Sequence, residues 1–182
     1  MNPRRLPLLL LTLFPLAAAR PADTTWRLVE TTDDLTGASD RRLILRAENW
    51  NAATATATAT IIVACGDRIP SSEGRSLLFF AGQPFEPFGN ELYAELRFDD
   101  QPHPIKAYLT ILDVGDARAT RQVAFLGTDQ SPYFSRPLLD QLMAAGKLSV
   151  TYRAYGEVRT VSFHPAGLRE ALPQLAGCRF GL

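Results

Sequence analysis

Few side chains in this 182-residue chain are suited to covalent or acid–base chemistry. Two cysteines, Cys65 and Cys178, and two histidines, His103 and His164, are spread along it. The one dense cluster is "RFDDQPHP", which brings Arg97, Asp99, Asp100 and His103 together in sequence. Adjacent carboxylates can hold a hard cation or act as acid and base. Aspartates at a strand end also make turns, because their side chains bond to nearby backbone. The turn reading is favoured here, since no EF-hand loop or second acidic cluster accompanies the pair. His103 lies between Pro102 and Pro104 in an expected turn. His164 ends an apolar strand just before Pro165, without a nucleophile or orienting acid in a recognisable motif. Neither a G-x-S-x-G elbow nor a glycine-rich phosphate loop occurs. The sequence therefore assigns no catalytic residue, no cofactor-binding residue and no metal ligand.

The cysteines take their meaning from the start of the chain, "MNPRRLPLLLLTLFPLAAAR". Arg4 and Arg5 precede an apolar run, and Ala17, Ala18 and Ala19 supply small residues for cleavage. That is the three-part pattern of a secretory signal peptide, residues 1–19. The run is shorter than the roughly 20 residues of a membrane span, and Pro7 and Pro15 interrupt it. A single exported domain, residues 20–182, is expected, periplasmic or secreted and without a stable membrane anchor after cleavage. Without Arg4 and Arg5 it carries 17 basic against 19 acidic residues, no surplus for nucleic acid. Oxidising compartments let disulfides persist, and two cysteines allow one intramolecular pairing, Cys65–Cys178. The alternative is a pair of free reactive thiols.

The most aromatic stretch is "LLFFAGQPFEPFGNELY". Phe85 and Phe88 flank Glu86-Pro87 in an expected loop. Exposed together, they would form an apolar patch for a protein partner. Folded over the end of a sheet, they would instead close the core, the commoner fate of phenylalanine.

Around these residues the chain alternates short apolar runs with turn chemistry. The runs are "RLILRA", "ATATATATIIVAC", "SLLFFAG", "ELYAELRF", "IKAYLTIL", "RQVAFLG", "KLSVTYRAYG" and "EVRTVSFH", and Trp26 and Leu28 lie on one side of a further possible strand. Gly, Pro, Asp and Asn separate them, with "DVGD" resembling a hairpin turn. "SPYFSRPLLDQLMAAGK" reads as a helix capped by Ser135, with Pro137 in its first turn and Gly146 past its end. In the closing stretch Leu168, Leu172 and Leu175 form a helical stripe that Pro173 should cut short. The fold expected is mainly β, an antiparallel β-sandwich of about eight strands with two short helices.

The order of these landmarks resembles the type VI secretion accessory proteins of the VasI/TagO-like family. The resemblance rests on "IIVACGD", on Arg97-Phe98-Asp99, on the helix leading into "KLSVTYRAYG", and on a closing pattern. That pattern falls on Phe163, Gly167, Leu168, Ala171, Leu172, Leu175, Cys178 and Phe180. It implies a non-enzymatic periplasmic accessory or interaction protein, working with another envelope or secretion-system protein and needing no cofactor. A generic exported ligand- or protein-binding module, inhibitor-like in character, is the alternative, and an envelope hydrolase ranks last.

Overall fold

A computed structural model of the chain describes residues 25–32, 39–48, 59–66, 74–111, 122–128, 131–175, 178 and 180. The expected signal segment 1–19, most of the Ala–Thr run and the "DVGD" turn lie outside these residues.

Among the described residues nine strands form: β1 (Arg27–Thr32), β2 (Ser39–Arg46), β3 (Thr60–Gly66), β4 (Arg75–Phe80), β5 (Tyr93–Phe98), β6 (Ile105–Ile111), β7 (Val123–Gly127), β8 (Leu148–Ala154) and β9 (Glu157–Phe163). Alternation decides their faces. In β8, Leu148, Val150, Tyr152 and Ala154 are buried, while Ser149, Thr151 and Arg153 between them are not fully so. A strand with one apolar row settles by burying that row.

All nine strands belong to one antiparallel sheet in the order β1-β2-β3-β4-β7-β6-β5-β8-β9. Strands β5, β6 and β7 follow one another, and β8 then returns to lie beside β5, a Greek key. The sheet folds over on itself. Phe79 of β4 lies 5.2 Å from the ring of Tyr152 in β8 and 6.3 Å from that of Phe163 in β9. Five inter-strand steps separate β4 from β9, about 24 Å in a flat sheet. The two halves therefore face each other across a shared core, as in a sandwich. The fold is mainly β and antiparallel, as the sequence predicts, with nine strands among the described residues where about eight were expected.

The sheet does not close into a barrel. Its halves touch where the Glu48 N–H donates to the Ser162 carbonyl at 2.8 Å. Nearby, the Trp26 indole N–H donates to the Pro165 carbonyl at 2.9 Å.

Among the described residues two short helices cover the core. In α1 (Arg136–Ala144), Leu138, Leu139 and Leu142 are buried. Ser135 occupies the N-cap place but makes no side-chain capping bond, and its buried hydroxyl finds no partner. The expected cap is thus a cap by position only; Pro137 near the helix start fixes the entry instead. Helix α2 (Leu168–Ala171) passes into a 3₁₀ turn at Leu172–Gln174, where Pro173 ends the regular helix. Leu168, Leu172 and Leu175 are all buried, so the stripe packs as expected. No helix among the described residues is long and apolar enough to cross a membrane.

Candidate functional site

The two cysteines are joined. Cys65 is the penultimate residue of β3 and Cys178 follows the last turn, with their Cα atoms 6.0 Å apart. Arg75 stands opposite Cys65 in the ladder, and its guanidinium lies over the rings of Phe134 at 5.0 Å and Phe180 at 5.9 Å. Phe180 is buried there, so bridge and ring together fasten Cys178 and Phe180 at the end of the β3–β4 ladder. Neither sulfur is a free thiol.

The "RFDDQPHP" cluster does not converge on a site. Arg97 points outward and Phe98 inward. Asp99 adopts a left-handed backbone, φ 47°. Its Oδ1 accepts backbone N–H bonds from Gly146 at 2.9 Å and Lys147 at 2.8 Å. Asp100 and His103 are exposed in the following turn. His164 reaches the same glycine, with Nδ1 3.0 Å from the Gly146 carbonyl and Nε2 paired with Glu48. Among the described residues no three His, Cys, Asp or Glu side chains are placed to hold a metal ion.

The two phenylalanines part company. Phe85 is 4% exposed and packs on Phe79 and Tyr152 at 5.7 and 5.8 Å between ring centroids. It closes one end of the core, because Ala81 to Gln83 are buried and draw the loop inward. Phe88 stays half-buried and stacks on Tyr93 at 4.8 Å. The apolar patch that Phe85 and Phe88 would form if exposed together is therefore not made; Phe85 closes the core, the commoner fate of phenylalanine, and Phe88 alone is left near the surface.

Around Phe88 another apolar surface takes shape. Tyr93 stands opposite Tyr108 in the β5–β6 ladder, both alternating with buried alanine or leucine and so facing outward. The Lys106 ammonium sits 4.3 Å from the Tyr93 ring centroid and 5.1 Å from that of Tyr108, and pairs with Glu91. The hydrogen bond that Lys106 donates to the Glu91 carboxylate holds the ammonium protonated to higher pH than an ordinary lysine. Beside this cluster the 81–92 loop runs along β8. The Glu86 N–H donates to the Arg153 carbonyl at 2.8 Å, and the Glu86 carboxylate accepts the Gly156 N–H at 2.7 Å. Gly156 belongs to the two-residue turn between β8 and β9; Tyr155 in that turn is 62% exposed, and Val158, just inside β9, is 64% exposed. Tyr155 and Val158 escaped the sequence reading. The signal available was Tyr-Gly between two alternating runs, a hairpin position that Asn-Gly normally marks.

No protein-family model matches this chain, and no curated protein or solved structure is significantly similar to it.

Proposed function

We propose that this chain is a non-enzymatic exported accessory domain that works by binding another envelope protein, within type VI secretion. One observation carries the binding half of this reading: large apolar side chains, Tyr155 and Val158, stand out at the tip of an ordered hairpin beside the Phe88–Tyr93 stack. Aromatic residues grouped in this way are enriched at protein interfaces. Export is supported by the Cys65–Cys178 bridge together with the tripartite start of the sequence. The secretion role rests on the sequence resemblance alone. The residues best suited to chemistry are engaged otherwise: Asp99 holds a turn, and His164 ties Glu48 to the turn at Gly146.

Complementation tests the reading. A strain carrying a type VI system and lacking this gene should release less of the secreted tube protein. The full gene should restore release, and so should a variant with Asp100→Ala and His103→Ala, two exposed turn residues. Normal release without the gene would remove the secretion role. Failure of the folded double variant would point to chemistry instead.

A further inference from the structure

The turn joining β8 to β9 has an unusual residue in a demanding position. Ala154 pairs with Glu157, so Tyr155 and Gly156 alone form the connection. Both have positive φ, 53° and 75°, which marks the type I′ hairpin turn. Glycine takes this backbone freely and asparagine tolerates it. A bulky side chain there is a genuine outlier, held only when its surroundings enforce it. Here the enforcement is visible. The Glu86 carboxylate accepts the Gly156 N–H at 2.7 Å, and the Glu86 N–H is tied to the Arg153 carbonyl at 2.8 Å. The loop thus clamps the turn from one side, and the strained residue it holds is an exposed aromatic ring, 62% accessible.

The charges around this tip cancel locally. Glu91 pairs with Lys106, Glu86 lies 3.7 Å from Arg153, and Glu157 lies 3.0 Å from Arg159. A charged partner would have to break these pairs or remain unpaired against them, which is unfavourable in a desolvated contact. What the tip offers outward is Tyr155, Val158 and the edges of the Phe88–Tyr93 stack.

We propose that the β8–β9 tip is a preorganised docking epitope for an uncharged, apolar segment of a partner protein, with Tyr155 as its anchor and Glu86 as the positioning residue. This rests on the reading of the chain as an interaction domain. A clamped anchor has little freedom left to lose when it binds. The left-handed backbone of Tyr155 is strain that the fold carries and that the interface repays.

The test uses the full exported chain and two measurements. Tyr155→Asn supplies the residue this turn prefers, so it should raise the thermal midpoint by about 2–4 °C. A lower midpoint would make Tyr155 a structural residue and overturn the proposal. Random dodecapeptides displayed on phage are then panned on the wild-type chain, with Tyr155→Asn used for counter-selection. Enriched peptides should be aromatic or aliphatic and uncharged, and indifferent to salt. They should lose about tenfold or more in affinity for Tyr155→Asn and for Val158→Ser. Glu86→Ala, which removes the side-chain acceptor of the Gly156 N–H while leaving the ring, should weaken them less. Peptides that are charged and salt-sensitive, or indifferent to both variants, or no enrichment at all, would overturn it. So would Tyr155-dependent binding to dextran or phosphatidylcholine vesicles in place of peptides. Restored secretion in the complementation assay with no Tyr155-dependent peptide would sink the epitope and leave the accessory role standing. The opposite pair of results would do the reverse.

Discussion

Asp99 Oδ1 accepts the backbone N–H of Gly146 at 2.9 Å, bridging the end of β5 to the turn that follows α1. The same oxygen takes the Lys147 N–H, and the Asp99 N–H returns a bond to the Lys147 carbonyl at 2.9 Å. The carboxylate closest to a catalytic signature in the sequence is therefore a turn clamp across the sheet end. Asp99→Ala should destabilise the domain by about 1–2 kcal/mol, as expected for lost bonds to an exposed charged acceptor. Asp99→Asn keeps an acceptor oxygen and tolerates the positive φ, so it should lose less. Urea unfolding of the three proteins checks the order. Equal stability across them would show that the clamp contributes nothing.

The Cys65–Cys178 bridge spans 113 positions of sequence. In the chain-entropy account, tying so long a loop stabilises by roughly 4–5 kcal/mol, and measured losses for native bridges run about 2–5 kcal/mol. Cys178→Ser and Cys65→Ser should each fall in that range, and the double variant should fall no further. Phe180 should then become accessible, because its burial beside Phe134 and Arg75 depends on the same anchor. Denaturant midpoints and proteolysis at the carboxyl end report both effects. A double variant markedly weaker than either single one would mean that the sulfurs act separately.

Much of this architecture is legible because burial and alternation coincide. The leucine stripe from Leu168 to Leu175 and the alternating β8 needed no tertiary information. Phe85 and Phe88 show where that legibility ends. Both are phenylalanines three positions apart in one loop, and only the third dimension decides that Phe85 meets Phe79 while Phe88 meets Tyr93. Strand order is likewise invisible in alternation, since β4 finds β7 and β5 finds β8 across long connections. Tyr155 was hidden for another reason. Its backbone contradicts the local preference of its residue type, so a reading built on preference passes over it.

The difference between the two phenylalanines is measurable. Phe85→Ala removes a ring from the closed end of the core and should cost about 3–5 kcal/mol. Phe88→Ala loses one exposed-edge stack and should cost about 1 kcal/mol. Comparable losses at the two positions would contradict their separate environments.

Alkaline pH should weaken the fold. Burial pushes the Tyr152 hydroxyl above the usual tyrosine range. A raised folded-state value means that the native state holds its proton longer than the unfolded chain. Stability is then complete below the unfolded value, about 10, and declines as pH rises from there through the folded value. Tyr152→Phe keeps the ring contacts with Phe79 and Phe85 and removes the titrating group. Its stability should fall less steeply above pH about 10. Equal alkaline slopes for the two proteins would show that Tyr152 ionises alike in both states.

Strand β1 poses the last question, because all six of its residues are exposed. Leu28 is 37% accessible even though it faces the same way as the buried Leu43 opposite. β1 itself adds no buried apolar residue to its ladder with β2, and such a strand is weakly held. Its anchor is Trp26, which packs against the core just before the strand and donates its indole N–H to the Pro165 carbonyl at 2.9 Å. That bond ties the first strand to the segment after the last one. Trp26→Ala should therefore release β1 locally and leave the rest of the sheet folded. Hydrogen exchange should show the amides of residues 27–32 losing protection, while those of Ile61 and Val63 in β3 keep theirs. Trp26→Phe, which retains most of the packing and loses only the donor, should give an intermediate result. If protection across β1 survives in Trp26→Ala, the β2 ladder suffices and the anchor role fails. If β1 and β3 lose protection together, the strand opens only with the whole domain, and Trp26 belongs to the global core.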